Sequence, residues 1–93
     1  MKLDFSGNFK TPDGKDTDGS ISLALGNALL SGLEKDKHRI LKYFTWAQDL
    51  HNKAELDIDV ADAKLLSDFV AASDNFTVLA KATILNIIDA AKE

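Results

Sequence analysis

The sequence predicts an α+β domain, mostly helical, in which a short N-terminal β strand or hairpin is followed by about four amphipathic helices. Three observations predict it. From Ser20 onward, apolar residues recur at spacings of three and four, the period of one helical face. Ser20, Asp36 and Asp59 stand directly ahead of three of these runs, where a side-chain oxygen can cap a helix start. The first ten residues alternate instead and lead into a proline–glycine turn, which reads as extended chain.

Leu3 and Phe5 share one face of the first strand, within Lys2 to Lys10, and Phe9 continues it; Gly7 marks a bulge in the run. Thr11-Pro12-Asp13-Gly14 is a turn, because proline pre-sets φ at its second position and glycine accepts positive φ. Asp16 to Gly19 adds a flexible patch, and no clear return strand is visible before the first helix. That helix follows Ser20, with Ile21, Ala24, Leu25, Ala28, Leu29 and Leu33 on its inner face and Gly26 as a close-packing position. Asp36 caps the second helix, which runs to about Asn52. Ile40, Phe44, Ala47 and His51 share one of its faces, and Arg39, Tyr43, Trp46 and Leu50 share the adjoining one. So wide an apolar arc predicts the central helix.

Glu55 to Asp59 alternates over five residues, either as a short strand or as an extended approach to the third helix. Leu3–Phe5 and Leu56–Ile58 are candidates to pair. Asp59 caps the third helix, with Asp62 in a capping-box-like position. Its buried stripe is Val60, Ala63, Leu66, Phe69 and Val70. Ala72 to Asn75 breaks the pattern. The last helix runs from about Thr77 to Lys92 with Val78, Leu79, Ala82, Leu85, Ile88 and Ala91 inward and Ile84 and Ile87 at the margins.

Ninety-three residues make one small domain, 1–93, with strand and turn over 1–19 and the helical body over 20–93. There is no cysteine, which excludes disulfides, thiolate metal sites and cysteine nucleophiles. The opening Met1 to Phe5 has no apolar run, so no signal peptide is expected. Phe76 to Ala91 is interrupted by Lys81, Asn86 and Asp89 and is too short and polar to span a bilayer. Net charge is −4, and it is unevenly spread. Residues 1–53 carry eight Lys/Arg against seven Asp/Glu, whereas 54–93 carry three against eight. Nucleic acid is not an expected partner, since phosphate binding needs a net positive face.

Candidate chemistry is sparse. Asp13, Asp16 and Asp18 flank glycines, but Ala24 and Asn27 stand where a calcium loop needs a bidentate Glu, so they read as a solvated turn. Asp57, Asp59 and Asp62 read as acids favoured near a helix N-terminus. His38 and His51 lie on one predicted helix about 140° and about 20 Å apart and cannot share a metal or a proton. There is no nucleophile elbow, phosphate loop, zinc-protease signature or dinucleotide fingerprint. No enzyme activity, cofactor or metal is expected. Tyr43 and Trp46 form the most informative group, with Arg39 and Leu50 on the same line and Lys35 and Lys42 at its rim. Exposed, that line is a docking stripe, because Tyr and Trp combine large area with a polar tip. Buried, it completes the core of a small domain.

Several stretches together resemble small uncharacterised proteins of tailed phages and prophages. They are Met1-Lys2-Leu3-Asp4-Phe5, the Asp-Gly turn, Leu25-Gly26-Asn27-Ala28-Leu29-Leu30, Tyr43-Phe44-Thr45-Trp46-Ala47 and Leu79-Ala80-Lys81-Ala82-Thr83-Ile84-Leu85. The resemblance spans nearly the whole chain but rests on packing residues, and it carries over no site residues. It implies a viral product acting in a bacterial cytoplasm or within a particle. The expected function is protein–protein interaction, as an assembly accessory or an inhibitor of a host factor, through Lys35, Arg39, Lys42, Tyr43, Trp46 and Leu50. The alternative is a binder of small anionic ligands such as nucleotides, using the Lys35, Arg39 and Lys42 edge, with pockets between subunits of a homo-oligomer.

Overall fold

The computed structural model describes residues 1–32 and 34–92. In order it forms β1 (Lys2–Asp4), β2 (Asn8–Lys10), β3 (Asp16–Ser20), α1 (Ile21–Ser31), α2 (Lys37–Lys53), β4 (Glu55–Asp57), α3 (Val60–Ala72) and α4 (Val78–Lys92). This is the expected helix-dominated α+β chain. Leu33, assigned above to the inner face of the first helix, lies outside the described residues.

β1 and β4 pair antiparallel with Leu3 opposite Leu56. The pairing extends past the strands: the Phe5 N–H donates to the Ala54 carbonyl at 2.9 Å and the Ile58 N–H to the Met1 carbonyl at 3.0 Å. Alternation decides which face is buried. Leu3, Phe5, Leu56 and Ile58 point inward, whereas Lys2, Asp4, Glu55 and Asp57 stay in solvent.

β2 and β3 form the second antiparallel pair, with an irregular register between Asn8 and Lys10. This is the hairpin alternative of the sequence reading, with a return strand that the sequence did not show. Asp16-Thr17-Asp18-Gly19-Ser20 has no apolar residue to give it away. It is held by turn chemistry and side-chain bonds instead. Gly14 takes φ +88°, and its N–H donates to the Thr11 carbonyl at 2.9 Å. The Thr17 hydroxyl donates to the Phe9 carbonyl at 2.8 Å and the Asn8 amide to the Thr17 carbonyl at 3.0 Å.

Three helix starts fall where the caps predict, and Thr77 supplies a fourth cap. Ser20 Oγ accepts from the Leu23 N–H at 3.3 Å, and Asp36 Oδ1 from the His38 and Arg39 N–H groups at 2.9 and 3.2 Å. Asp59 Oδ1 accepts from the Asp62 N–H at 2.8 Å, and Thr77 Oγ1 from the Ala80 N–H at 3.2 Å. Asp62 does not close the box on Asp59; its carboxylate receives Lys42 Nζ at 2.6 Å. α2 ends on Ala54, whose φ of +56° is left-handed, with its N–H on the Leu50 carbonyl at 3.1 Å.

One core joins β1, β4 and the four helices: Leu3, Phe5, Leu25, Leu50, Leu56, Leu66, Val70, Ile84 and Ile88 are essentially inaccessible. Two predicted stripes are corrected. In α4, Ile84 and Ile88 are the buried line, while Val78, Leu79 and Ala82 face solvent. The helix is apolar on several sides, and the packing of α3 and β1 against it sets the rotation. In α3 the stripe is Ala63, Leu66 and Val70, with Phe69 half-buried and Val60 exposed, because Val60 sits in the first turn at the edge of the core. Among the described residues no helix is long and apolar enough to cross a membrane.

Candidate functional site: an apolar groove on the first helical hairpin

α1 and α2 pack as an antiparallel pair. Gly26, in the middle of α1, sits against Ala47 and His51 of α2, and Leu29 and Leu30 come beside Ile40, Tyr43 and Phe44. The side of α2 turned into the domain carries Tyr43, Trp46, Ala47 and Leu50. Tyr43 packs its ring against Trp46 and Phe69, at centroid separations of 5.7 and 5.2 Å with tilted planes, a favoured aromatic geometry. Burial pushes the Tyr43 hydroxyl above the usual tyrosine range.

The predicted docking stripe is therefore corrected. Tyr43, Trp46 and Leu50 are 6%, 5% and 1% exposed and belong to the core. The physical reason is register. These residues lie on the side of α2 that faces β4 and Phe69 of α3, where a small domain needs its largest side chains. The basic residues of the proposed rim do not act together either. Lys35 and Arg39 are exposed, and Arg39 Nη1 lies 4.0 Å from Glu34 Oε2. Lys42 is held by Asp62, whose carboxylate keeps the ammonium above the usual lysine range.

What α2 leaves outside is its other apolar line. Ile40 is 45% exposed, Leu41 56% and Phe44 51%, and Leu30 of α1 adds another 51%. These four wall a groove of 350 Å³ whose floor is the buried Leu29 and Tyr43. Glu34 closes one end. Its Oε1 accepts from the Lys35 and Asp36 N–H groups, both at 3.0 Å. The sequence contained the signal: α2 has two adjoining apolar lines, and a helix packed on one side can bury only one of them.

A larger cleft of 600 Å³ lies on the opposite flank of α2, lined by His38, Leu41, Lys42, Thr45, Trp46, Asp49, Asp57, Ile58, Asp59 and Asp62. Its four carboxylates outnumber its one lysine, and that lysine is already paired. Such a lining repels an anion rather than attracting one. The groove, by contrast, offers apolar surface over two buried floor residues. No family model, no curated protein and no solved structure matches the chain.

Proposed function

We propose that the protein works by protein–protein contact through the outer face of the α1–α2 hairpin, not by catalysis. The observation that carries this reading is the cluster of half-exposed Leu30, Ile40, Leu41 and Phe44 around one groove. Contiguous apolar surface of this kind costs solubility, and on soluble proteins it marks interaction sites. Together with the resemblance to small proteins of tailed phages, it favours an assembly accessory or an inhibitor of a host factor, acting in a bacterial cytoplasm or within a particle. The anionic-ligand alternative draws less support, because Lys42 is paired to Asp62 and Arg39 lies 4.0 Å from Glu34, which leaves Lys35 of that edge.

The test is co-purification from a bacterial extract with the tagged wild-type chain, Phe44→Asp and Val78→Asp. Val78, 84% exposed on α4, serves as the control for adding a charge at an apolar surface position. Wild type and Val78→Asp are expected to retain the same associated protein and Phe44→Asp to lose it, with all three folded by circular dichroism. Equal retention by all three rejects the reading.

A further inference from the structure

We infer that the occupant of this face is a second copy of the chain, seated by a two-fold axis so that two α1–α2 hairpins form an antiparallel four-helix layer. The inference rests on the proposed docking role of the face and names the first partner that fills it.

The sequence of α1, Ile21 to Ser31, contains no charged residue, and the helix is apolar on nearly every side. A helix of that composition is a buried helix, yet here one flank is open. Leu23, 45% exposed, and Leu30, 51% exposed, are seven residues apart, so they align within about 20° on one line. Exposed Asn27 lies between them. On α2 the matching line is Ile40, Phe44 and exposed His51. The two lines flank the Gly26–Ala47 seam and give the hairpin a second apolar side, opposite the core.

Charge decides between a copy and an oppositely charged partner. The chain has 15 Asp and Glu, yet none occurs in α1 or in α2 before Asp49. Of the cations in that stretch, Arg39 turns to Glu34 and Lys42 to Asp62, which leaves Lys37 on the outward line. The charges of this face, Glu34, Lys35, Lys37 and Arg39, gather at the end of the groove where α2 begins, so a copy laid antiparallel keeps like charges apart. An antiparallel two-fold puts the two Lys37 residues at opposite ends of a 17-residue helix. Such a helix is about 25 Å long, well beyond the screening length of about 8 Å at physiological salt.

Area points the same way. The open halves of Leu23, Leu30, Ile40, Leu41 and Phe44 amount to about 450 Å² of apolar surface, within the range of the largest, often functional, patches on monomers. With exposed Asn27, Lys37, Gln48 and His51 around them, the face approaches the ~800 Å² per partner of a standard interface. A two-fold contact needs only this one patch, because each copy presents both lines to the other.

Sedimentation equilibrium of the full chain tests this. The wild type is expected to show a monomer–dimer equilibrium that stops at the dimer, Phe44→Asp to weaken it by ~100-fold or more, and Val78→Asp to leave it unchanged. Because the chain has no native cysteine, a second measurement is independent of any loss of stability in Phe44→Asp. A short bismaleimide should join Asn27→Cys chains into dimers and leave Val78→Cys chains single. A wild type that stays monomeric overturns the inference, as does an open series of oligomers or a dimer that Phe44→Asp does not weaken. A monomeric wild type whose associated protein is still lost in Phe44→Asp removes self-association but keeps the docking face. A monomeric wild type with capture unchanged in Phe44→Asp removes both.

Discussion

The imidazole of His51 lies over Gly26: a Cβ on that glycine would stand 3.3 Å from both Cδ2 and Nε2 of His51, and 3.6 Å from the Ala47 carbonyl oxygen. This contact sets how closely the two helices of the hairpin approach. A glycine inside a helix costs about 1 kcal/mol relative to alanine, so its presence marks the tight point of the seam. His51 is exposed, however, and its ring can swing outward by the few tenths of an ångström a methyl needs. Gly26→Ala is therefore expected to stabilise the protein by about 0.5 kcal/mol. Gly26→Leu must displace the Ala47 backbone and is expected to cost about 2 kcal/mol or more. Urea denaturation of both variants checks this, and a destabilised Gly26→Ala would show that the imidazole is fixed.

Ala54 closes α2 at φ +56°, a left-handed conformation that costs a residue with a Cβ about 1–2 kcal/mol. Ala54 also holds the Phe5 N–H on its carbonyl, so the strained residue links the helix end to the β1–β4 ladder. Ala54→Gly removes the strain and keeps both backbone bonds. A gain of about 0.5–1 kcal/mol is expected after the larger unfolded-state entropy of glycine is counted. Thermal unfolding measures it, and a lower melting temperature would count against the strain.

Tyr43 and Trp46 anchor the middle of the core rather than an outer surface. Truncating one buried large aromatic costs about 3–5 kcal/mol, and total stability for a domain of this size is about 5–15 kcal/mol. Tyr43→Ala with Trp46→Ala is expected to abolish cooperative folding, read as loss of near-ultraviolet circular dichroism and a sigmoidal melt. A double variant that still melts cooperatively near the wild-type temperature would contradict the burial of both rings.

Alkaline pH should destabilise the fold through two groups whose folded pKa values are raised. Burial raises Tyr43, and the hydrogen bond that Lys42 donates to the Asp62 carboxylate raises Lys42. A group raised in the folded state contributes its stability in full below its unfolded value. That contribution is lost as pH rises through the folded value. Stability is therefore flat with respect to both groups near neutrality and falls above about pH 10, where unfolded tyrosine and lysine titrate. Solvent screens the half-exposed Lys42, so its share is discounted. Melting curves across that range check the sign: Tyr43→Phe should flatten the alkaline limb, and an equally steep limb in that variant would reject the assignment.

Local chemistry made much of the fold legible. Ser20, Asp36 and Asp59 announce helix starts because an N-cap is a contact between neighbours in the chain. The Thr11–Gly14 turn is local in the same sense. The pairing of Leu3 with Leu56 was also visible, since two short alternating segments each needed a partner to bury one face. β3 was not visible: Asp16 to Ser20 is polar throughout, and a strand held by turn geometry and threonine bonds leaves no hydrophobic period. The groove was half visible. The two apolar lines of α2 and the uncharged α1 could be read, but whether Tyr43, Trp46 and Leu50 made a docking stripe or completed the core could not.

The sequence by itself determined where the helices begin, that they dominate, and that the hairpin carries more apolar surface than one packed side can use. Only the tertiary structure decided which line goes inside. Periodicity fixes the angle between two lines on a helix but not the rotation of the helix against its neighbours. That rotation is set by which large side chains fill the space toward β4 and Phe69 of α3. Tyr43, Trp46 and Leu50 fill it, and Ile40, Leu41 and Phe44 are left facing water.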